Sequence, residues 1–247
     1  MGKPYRTGSR GPAHPVMRAR AMRRLWLAAL PLLLAASGCE TNSEGVQVDL
    51  TAAARVYREQ VDRKPGREEM KRIIARLPAD QLNDLGVLYE REGRLDDAVW
   101  AYQQAVWRDP RCSRAYVNLG NVLRKQGKLD QARFRYRQAM AADPTSFEAA
   151  NNFADLCAAE RTCIEEAISR LEPMVEGAGS YRPYGLDTLG WLYHLQGADE
   201  RALDILETAR GEAGTADPTL TETIDTHLAE VRAALGRREN AMRTQDD

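Results

Sequence analysis

Residues 82–110 read Leu82-x-x-Leu85-Gly86-x-x-Tyr89 … Gly93 … Ala98-x-x-x-Tyr102-x-x-Ala105 … Pro110, and residues 116–144 read Tyr116-x-x-Leu119-Gly120-x-x-Leu123 … Gly127 … Ala132-x-x-x-Tyr136-x-x-Ala139 … Pro144. One shift of 34 residues superposes every position of the first stretch on the second. Apolar and small residues three and four apart mark one face of a helix. Gly93 and Gly127 interrupt each stretch midway, where a left-handed residue ends a helix without a side-chain penalty. Asp109-Pro110 and Asp143-Pro144 end each unit, because proline cannot continue a helix and restrains the residue before it. Each unit is therefore a helix pair. Gly86 with Ala98, and Gly120 with Ala132, are placed where the two helices cross closely, with Leu85, Tyr89 and Tyr102 filling the space alongside.

The same pattern continues downstream. Phe153, Ala154 and Cys157 take the first-helix places of a third, degenerate copy, and Ala167 and Leu171 its second-helix places after one extra residue. Pro173 falls inside that second helix and predicts a kink or an early stop. A fourth copy carries Leu186-Asp187-Thr188-Leu189-Gly190-Trp191-Leu192-Tyr193, Gly197, Ala202, Leu206 and Ala209, with residues 211–216 as a loop insertion before Asp217-Pro218. Leu228-Ala229, Gly236 and Ala241 suggest a partial fifth copy that caps the array. Upstream, residues 50–78 read as two helices, 51–62 and 67–77, forming an N-terminal cap. No alternating Val/Ile/Thr run predicts a strand.

In period and residue pattern these copies resemble tetratricopeptide repeats. The resemblance implies an all-α solenoid, a right-handed superhelix of antiparallel helix pairs, with repeats at 79–112, 113–146, 147–180 (degenerate) and 183–218. Residues 219–247 would form a partial repeat and C-terminal capping helix. It also implies that the first helices line a groove for a peptide or helix of a partner protein. The groove-facing positions would be Asn83, Val87 and Arg91 in the first repeat, with Asp80 and Glu90 beside them. The second would contribute Asn118, Asn121 and Arg124, with Arg114, Val117 and Lys125, and the third Asn151, Asn152 and Asp155. Asn118 and Asn152 hold the same place in successive repeats. Such an amide ladder can satisfy the backbone of an extended ligand, or else solvate the face or bond between helices. Capture of a C-terminal carboxylate by Lys and Arg is disfavoured, since Asn83, Val87, Glu148 and Asn152 stand at the relevant places.

The start of the chain carries a different signal. Lys3, Arg6, Arg10, Arg18, Arg20, Arg23 and Arg24 precede the apolar run 25–36 and then Ser37-Gly38-Cys39, with no acid before residue 39. Charged, apolar and small segments in that order form a secretory signal, and the run is shorter than the ~20 residues that span a bilayer. Ala36-Ser37-Gly38-Cys39 resembles the lipobox of bacterial lipoproteins. That resemblance implies cleavage after residue 38, acylation of Cys39, a flexible tether at 39–49 and, with Glu40 following, sorting to the periplasmic face of the outer membrane.

Composition narrows the function. The whole chain has a formal net charge of −1, but without its first 38 residues it keeps 28 basic and 36 acidic side chains, a net of −8. An acidic solenoid repels a phosphate backbone, which argues against nucleic acid as a partner. No phosphate loop, GxSxG or HExxH motif is present. His194 and His227 fall within repeat helices, where packing or solvation is a better expectation than catalysis. Neither a metal site, a cofactor nor a small-molecule substrate is expected. Cys157 and Cys163 flank the turn of the third copy; in an oxidising compartment they could be joined, or they could pack as two small hydrophobes, with Cys112 left over. The expected role is a lipid-anchored scaffold holding envelope proteins during pilus or secretion-machine assembly. An adaptor for peptidoglycan hydrolases, or an enzyme or enzyme accessory with an unrecognised site, are the alternatives.

Overall fold

The computed structural model describes residues 72, 74–214 and 217–243 of the 247-residue chain. The leader, Cys39, the tether and the cap up to residue 71 lie outside the described residues. Within them the chain is all-helical: α1 (Ala79–Arg91), α2 (Leu95–Arg108), α3 (Ser113–Lys125), α4 (Leu129–Ala142), α5 (Phe147–Glu160), α6 (Ile164–Val175), a 3-10 turn at Gly179–Tyr181, α7 (Arg182–Gln196), α8 (Asp199–Ala213) and α9 (Pro218–Arg243). α1 pairs with α2, α3 with α4, α5 with α6 and α7 with α8. Each first helix also touches the first helix of the next pair, from α1 to α9, and each second helix packs on the following first helix. The result is an α-solenoid.

Local chemistry sets the helix ends. Gly93, Gly127 and Gly197 hold φ of 74°, 74° and 88°. The residue after each donates its N–H back across the turn, Arg94 to Tyr89 O, Lys128 to Leu123 O and Ala198 to Tyr193 O, each at 2.9 Å. This is the Schellman closure. The third repeat makes the same bond, Thr162 N to Cys157 O at 2.9 Å, without a glycine. Arg161 occupies that place at φ 53°, and Cys163 follows at φ 44°. A left-handed side-chain residue costs on the order of 1 kcal/mol, so this turn holds two strained positions. A disulfide between Cys157 and Cys163, with Cα atoms 5.5 Å apart, closes over it. Asp109 and Asp143 take extended backbone before their prolines and stop α2 and α4.

Three local expectations change. α6 runs two residues beyond Pro173 before ending at Val175, because a proline near the end of a helix deletes only one of the last bonds. The first half of the expected loop at 211–216 is helix, since α8 continues through Gly211 to Ala213. Gly236 lies inside the uninterrupted α9 rather than ending a helix.

The core shows what the recurring glycine is for. A Cβ on Gly86 would meet the Tyr102 ring at 2.4 Å, and one on Gly120 the Tyr136 ring at 2.5 Å. The close neighbour is the ring one turn beyond the small alanine of the second helix, not that alanine. Tyr102 and Tyr136 are fully buried. In the third repeat both partners change together, with Ala154 facing the place of the ring and Leu171 standing where the tyrosine was. Volume is thus traded across the helix pair. We expect Gly120→Ala to lower stability by about 1 kcal/mol, the overpacking outweighing alanine's better helix propensity. In a Tyr136→Leu background the same change should cost less, though a Cβ on Gly190 would still meet Leu206 at 2.6 Å in the fourth repeat, and urea titrations of the four combinations measure the difference.

Candidate functional site: the row of first helices

α1, α3, α5 and α7 form the inner row on which the predicted groove residues fall. The asparagines are bonded across it. Asn118 Nδ2 donates to Asn83 Oδ1 at 2.8 Å, and Asn152 Nδ2 donates to Asn121 Oδ1 at 3.1 Å. Tyr136 Oη donates to the same Asn121 oxygen at 2.8 Å. Asn83, expected to face a ligand, is only 1% exposed. Asn118 and Asn152 do not contact one another in a ladder, because Val117 offers no acceptor where Asn83 stood one repeat earlier and Asn152 turns to Asn121 instead. Asn151 sits at the Asn83 place, half-buried, and its Oδ1 finds no hydrogen-bond partner.

The same bracing recurs at the far end with different chemistry. Asp187 holds the place of Asn83, and His227 of α9 meets its Oδ1 through Nδ1 at 2.8 Å. The His227 ring stacks on Trp191 with centroids 4.3 Å apart and planes inclined by 13°. Trp191 is half-buried and occupies the repeat position of Val87, Asn121 and Asp155. His194 Nδ1 lies 2.6 Å from Oδ1 of the buried Asp199, whose Oδ2 takes Arg238 at 3.1 Å. Both histidines therefore tie the last helices together and reach no nucleophile. The sequence signal for this was available in Asp187 and His227 only once α9 was known to stack as a further first helix.

Charge divides the row into two rims. Along the N-terminal turns of the first helices, Arg114 Nη2 sits 3.5 Å from Asp80 and 3.6 Å from Asp84, with Glu148 at the equivalent place one repeat on. Burial pushes the Asp84 carboxyl up, against the pull of Arg114, and burial raises Glu148 as well. Asp84 Oδ2 is left without a hydrogen-bond partner. Along the C-terminal turns, Arg91 is exposed, Arg124 pairs with Asp155 at 2.6 Å and Lys125 with Glu90 at 2.6 Å. Glu90 also accepts from Tyr102 Oη at 3.0 Å, and burial with that carboxylate drives the phenol strongly upward. Tyr136 is likewise pushed up to about 12, chiefly by burial. The surface left open to a ligand is thus Arg91 and Arg114 with the half-buried Val87, Arg124 and Asp155, more than the asparagines. Among the described residues no cluster of His, Cys, Asp or Glu could hold a metal, and no helix is long and apolar enough to cross a membrane.

The tetratricopeptide-repeat family model matches residues 83–147 and again 117–161. Residues 83–161 are tetratricopeptide repeats. Solved tetratricopeptide folds align over most of the described chain. A repeat protein from Parabacteroides merdae superposes with a TM-score of 0.56 at 15% identity, covering 78% of this chain and 77% of that one. PilF of Pseudomonas aeruginosa superposes at 0.54 with 21% identity over 65% and 72%, and BtubC of P. vanneervenii at 0.56 with 20% identity over 81% and 89%. At these identities the likeness establishes the fold. No curated protein matches the sequence.

Two outcomes follow for this row. Asn118→Ala with Asn152→Ala should lower the melting temperature, because each deletes an interhelical bond worth about 1 kcal/mol; an unchanged melting curve would return these amides to a ligand-binding role. For Asp84 the folded carboxyl titrates above its unfolded value, so its contribution to stability is present in full at low pH and is lost as pH rises through the folded value. Asp84→Asn, which installs the residue found at 118 and 152, should therefore raise the melting temperature at pH 7 relative to pH 4, as read by thermal melts at both.

Proposed function

We propose that this protein is a scaffold of the bacterial envelope, held to the periplasmic face of the outer membrane by acylation at Cys39, and that its row of first helices holds a partner during assembly of a pilus or secretion machine. The tetratricopeptide fold is a protein-interaction scaffold, and its repeats take protein partners along the groove. The envelope setting comes from the leader and the Ala36-Ser37-Gly38-Cys39 sequence. The pilus or secretion role comes from the resemblance to lipoproteins of that kind.

One observation carries the binding reading. The first helices are braced to each other by Asn83–Asn118, Asn121–Asn152, Arg124–Asp155 and Lys125–Glu90, so the groove is formed before a ligand arrives. A preformed surface gives up little ordering entropy on binding, and several modest contacts along it suffice for useful affinity. The ionic rims favour a ligand that is basic toward Asp80, Asp84 and Glu148 and acidic toward Arg91. Proteins built on this fold are generally not enzymes, and neither histidine of the repeats is placed for catalysis.

Photo-cross-linkers at Val87 and at Gln103, on the outer face of α2, provide the test in cells. Cross-links to one envelope protein from Val87 alone are expected, with Arg91→Glu weakening them about ten-fold, or about 1.4 kcal/mol. Cys39→Ser should release the chain from the membrane fraction. Cross-links from Gln103 and not Val87 would move the interface off the groove.

A further inference from the structure

The turn between α5 and α6 departs from its three counterparts by one residue. In the others the left-handed glycine is followed at once by the residue that precedes the second helix, Arg94, Lys128 or Ala198, at φ of −86°, −87° and −92°. Here Thr162 is interposed after Arg161, and the residue that precedes α6, Cys163, is turned over to φ 44°. Side chains avoid that region of backbone, and neither arginine nor cysteine has the short amide or carboxylate that eases it. The Cys163 sulfur is bonded to that of Cys157, in the last turn of α5. The bond joins residues six apart in sequence and spans both left-handed positions.

The two sulfurs are not equally reachable. Cys157 is fully buried, whereas Cys163 is half-buried beside the exposed Arg161 and Thr162. Arg133 of α4 reaches across the turn from the preceding repeat. Its Nη1 donates to Thr162 Oγ1 at 3.2 Å and lies 4.0 Å from Cys163 Sγ, while its Nη2 donates to Glu160 at 3.0 Å and Asp130 at 2.6 Å. The place of Arg133 is apolar in the other repeats, as Val99, Ile168 and Leu203. Its charge is answered by the two carboxylates, so it acts as a clamp on the turn and not as a field on the sulfur. Just ahead of Cys157, α5 carries Asn152 and Asp155, whose bonds to Asn121 and Arg124 brace the inner row.

We infer that the Cys157–Cys163 bond is a redox-responsive latch, opened by a dithiol, that sets how firmly the third repeat holds its place in the array. An incoming thiolate attacks Cys163 Sγ, the sulfur within reach. The S–S bond breaks, and its electron pair leaves on Cys157 Sγ, which takes up a proton. The second thiol of the reagent then displaces Cys163 as a thiol, and the reagent departs as its own disulfide. Cys157 is buried where a thiolate is poorly solvated, so the first step needs the turn to open. The left-handed backbone at Arg161 and Cys163 supplies that tendency. With the bond gone the turn leaves this conformation, and the end of α5 loosens with it, drawing Asp155 from Arg124 and Glu160 from Arg133. The effect on the turn stands apart from what the inner row binds; only its bearing on partner capture rests on the groove reading proposed above.

Hydrogen exchange of the full chain, read by mass spectrometry before and after dithiothreitol, provides the test. Oxidised, the peptide across residues 157–167 should exchange as slowly as the one across the glycine turn at residues 123–132. Reduced, it should exchange about ten-fold faster, as the release of one left-handed residue implies, with the 123–132 peptide unchanged. Arg161→Gly should restore most of that protection in the reduced chain and leave the oxidised chain nearly as it was. Cys163→Ala should exchange like the reduced chain without any reductant, circular dichroism verifying that both variants stay helical. A reduced turn as protected as the oxidised one overturns the proposal. So does faster exchange shared by both peptides, which would make the bond a staple of the whole array, and so does an Arg161→Gly effect of equal size in both forms. Alkylation that finds Cys157 and Cys163 as free thiols in chain isolated without reductant removes the latch outright. No partner enters these readouts, so their failure leaves the groove reading where it stood.

Discussion

The close approach of paired helices is the constraint from which the rest of this solenoid follows. Where Gly86 and Gly120 face Tyr102 and Tyr136, there is no room for even a methyl group. A tyrosine ring buried against bare backbone fills the interior of the first two pairs, as Leu171 and Leu206 do in the last two, and fixes the distance between their helices. Once that distance is fixed, the next first helix can only seat beside the previous one, and the array grows by repetition. Stability in such a chain is close to a sum over neighbouring contacts, so the polar bonds along the inner row act as couplers between units rather than as ornaments of a surface.

The two faces of the array then acquire different chemistry. Inside, first helices brace one another with amides and ion pairs, and the groove residues left over are an exposed arginine, a valine and the edges of ionic pairs. Most of those ion pairs are partly exposed and individually weak; their value lies in holding long side chains in one arrangement before a ligand comes. Outside, the first two repeats carry aromatic rings, Trp100 and Phe134, where the last two carry the polar Ser169 and Asp204. A solenoid repeats its core faithfully and is free to vary its surfaces, and here both surfaces vary along the array.

The fold was legible in the sequence because its determinants are local and periodic. Glycine, alanine, tyrosine and Asp-Pro recur at fixed spacing, and each has one packing or backbone reason to be there. The inner row was legible only in part. Placing Asn118 and Asn152 at equivalent positions is right, yet whether an amide meets a ligand or a neighbouring helix depends on the residue one turn away on another helix. Val117 in place of an acceptor is enough to redirect Asn152 to Asn121. The His227–Asp187 bond was out of reach for a similar reason, since it needs the register of α9, and α9 lacks the glycine break that sets register elsewhere. Loop expectations failed where a helix could simply run on, as α8 does through Gly211.

The third repeat differs from its neighbours in one respect that bears on the whole molecule. Where the others turn on glycine, it turns on Arg161 and Cys163 in left-handed backbone, under a bond between two sulfurs. A turn that is self-sufficient in the first, second and fourth units has here been made to depend on the oxidation state of its surroundings.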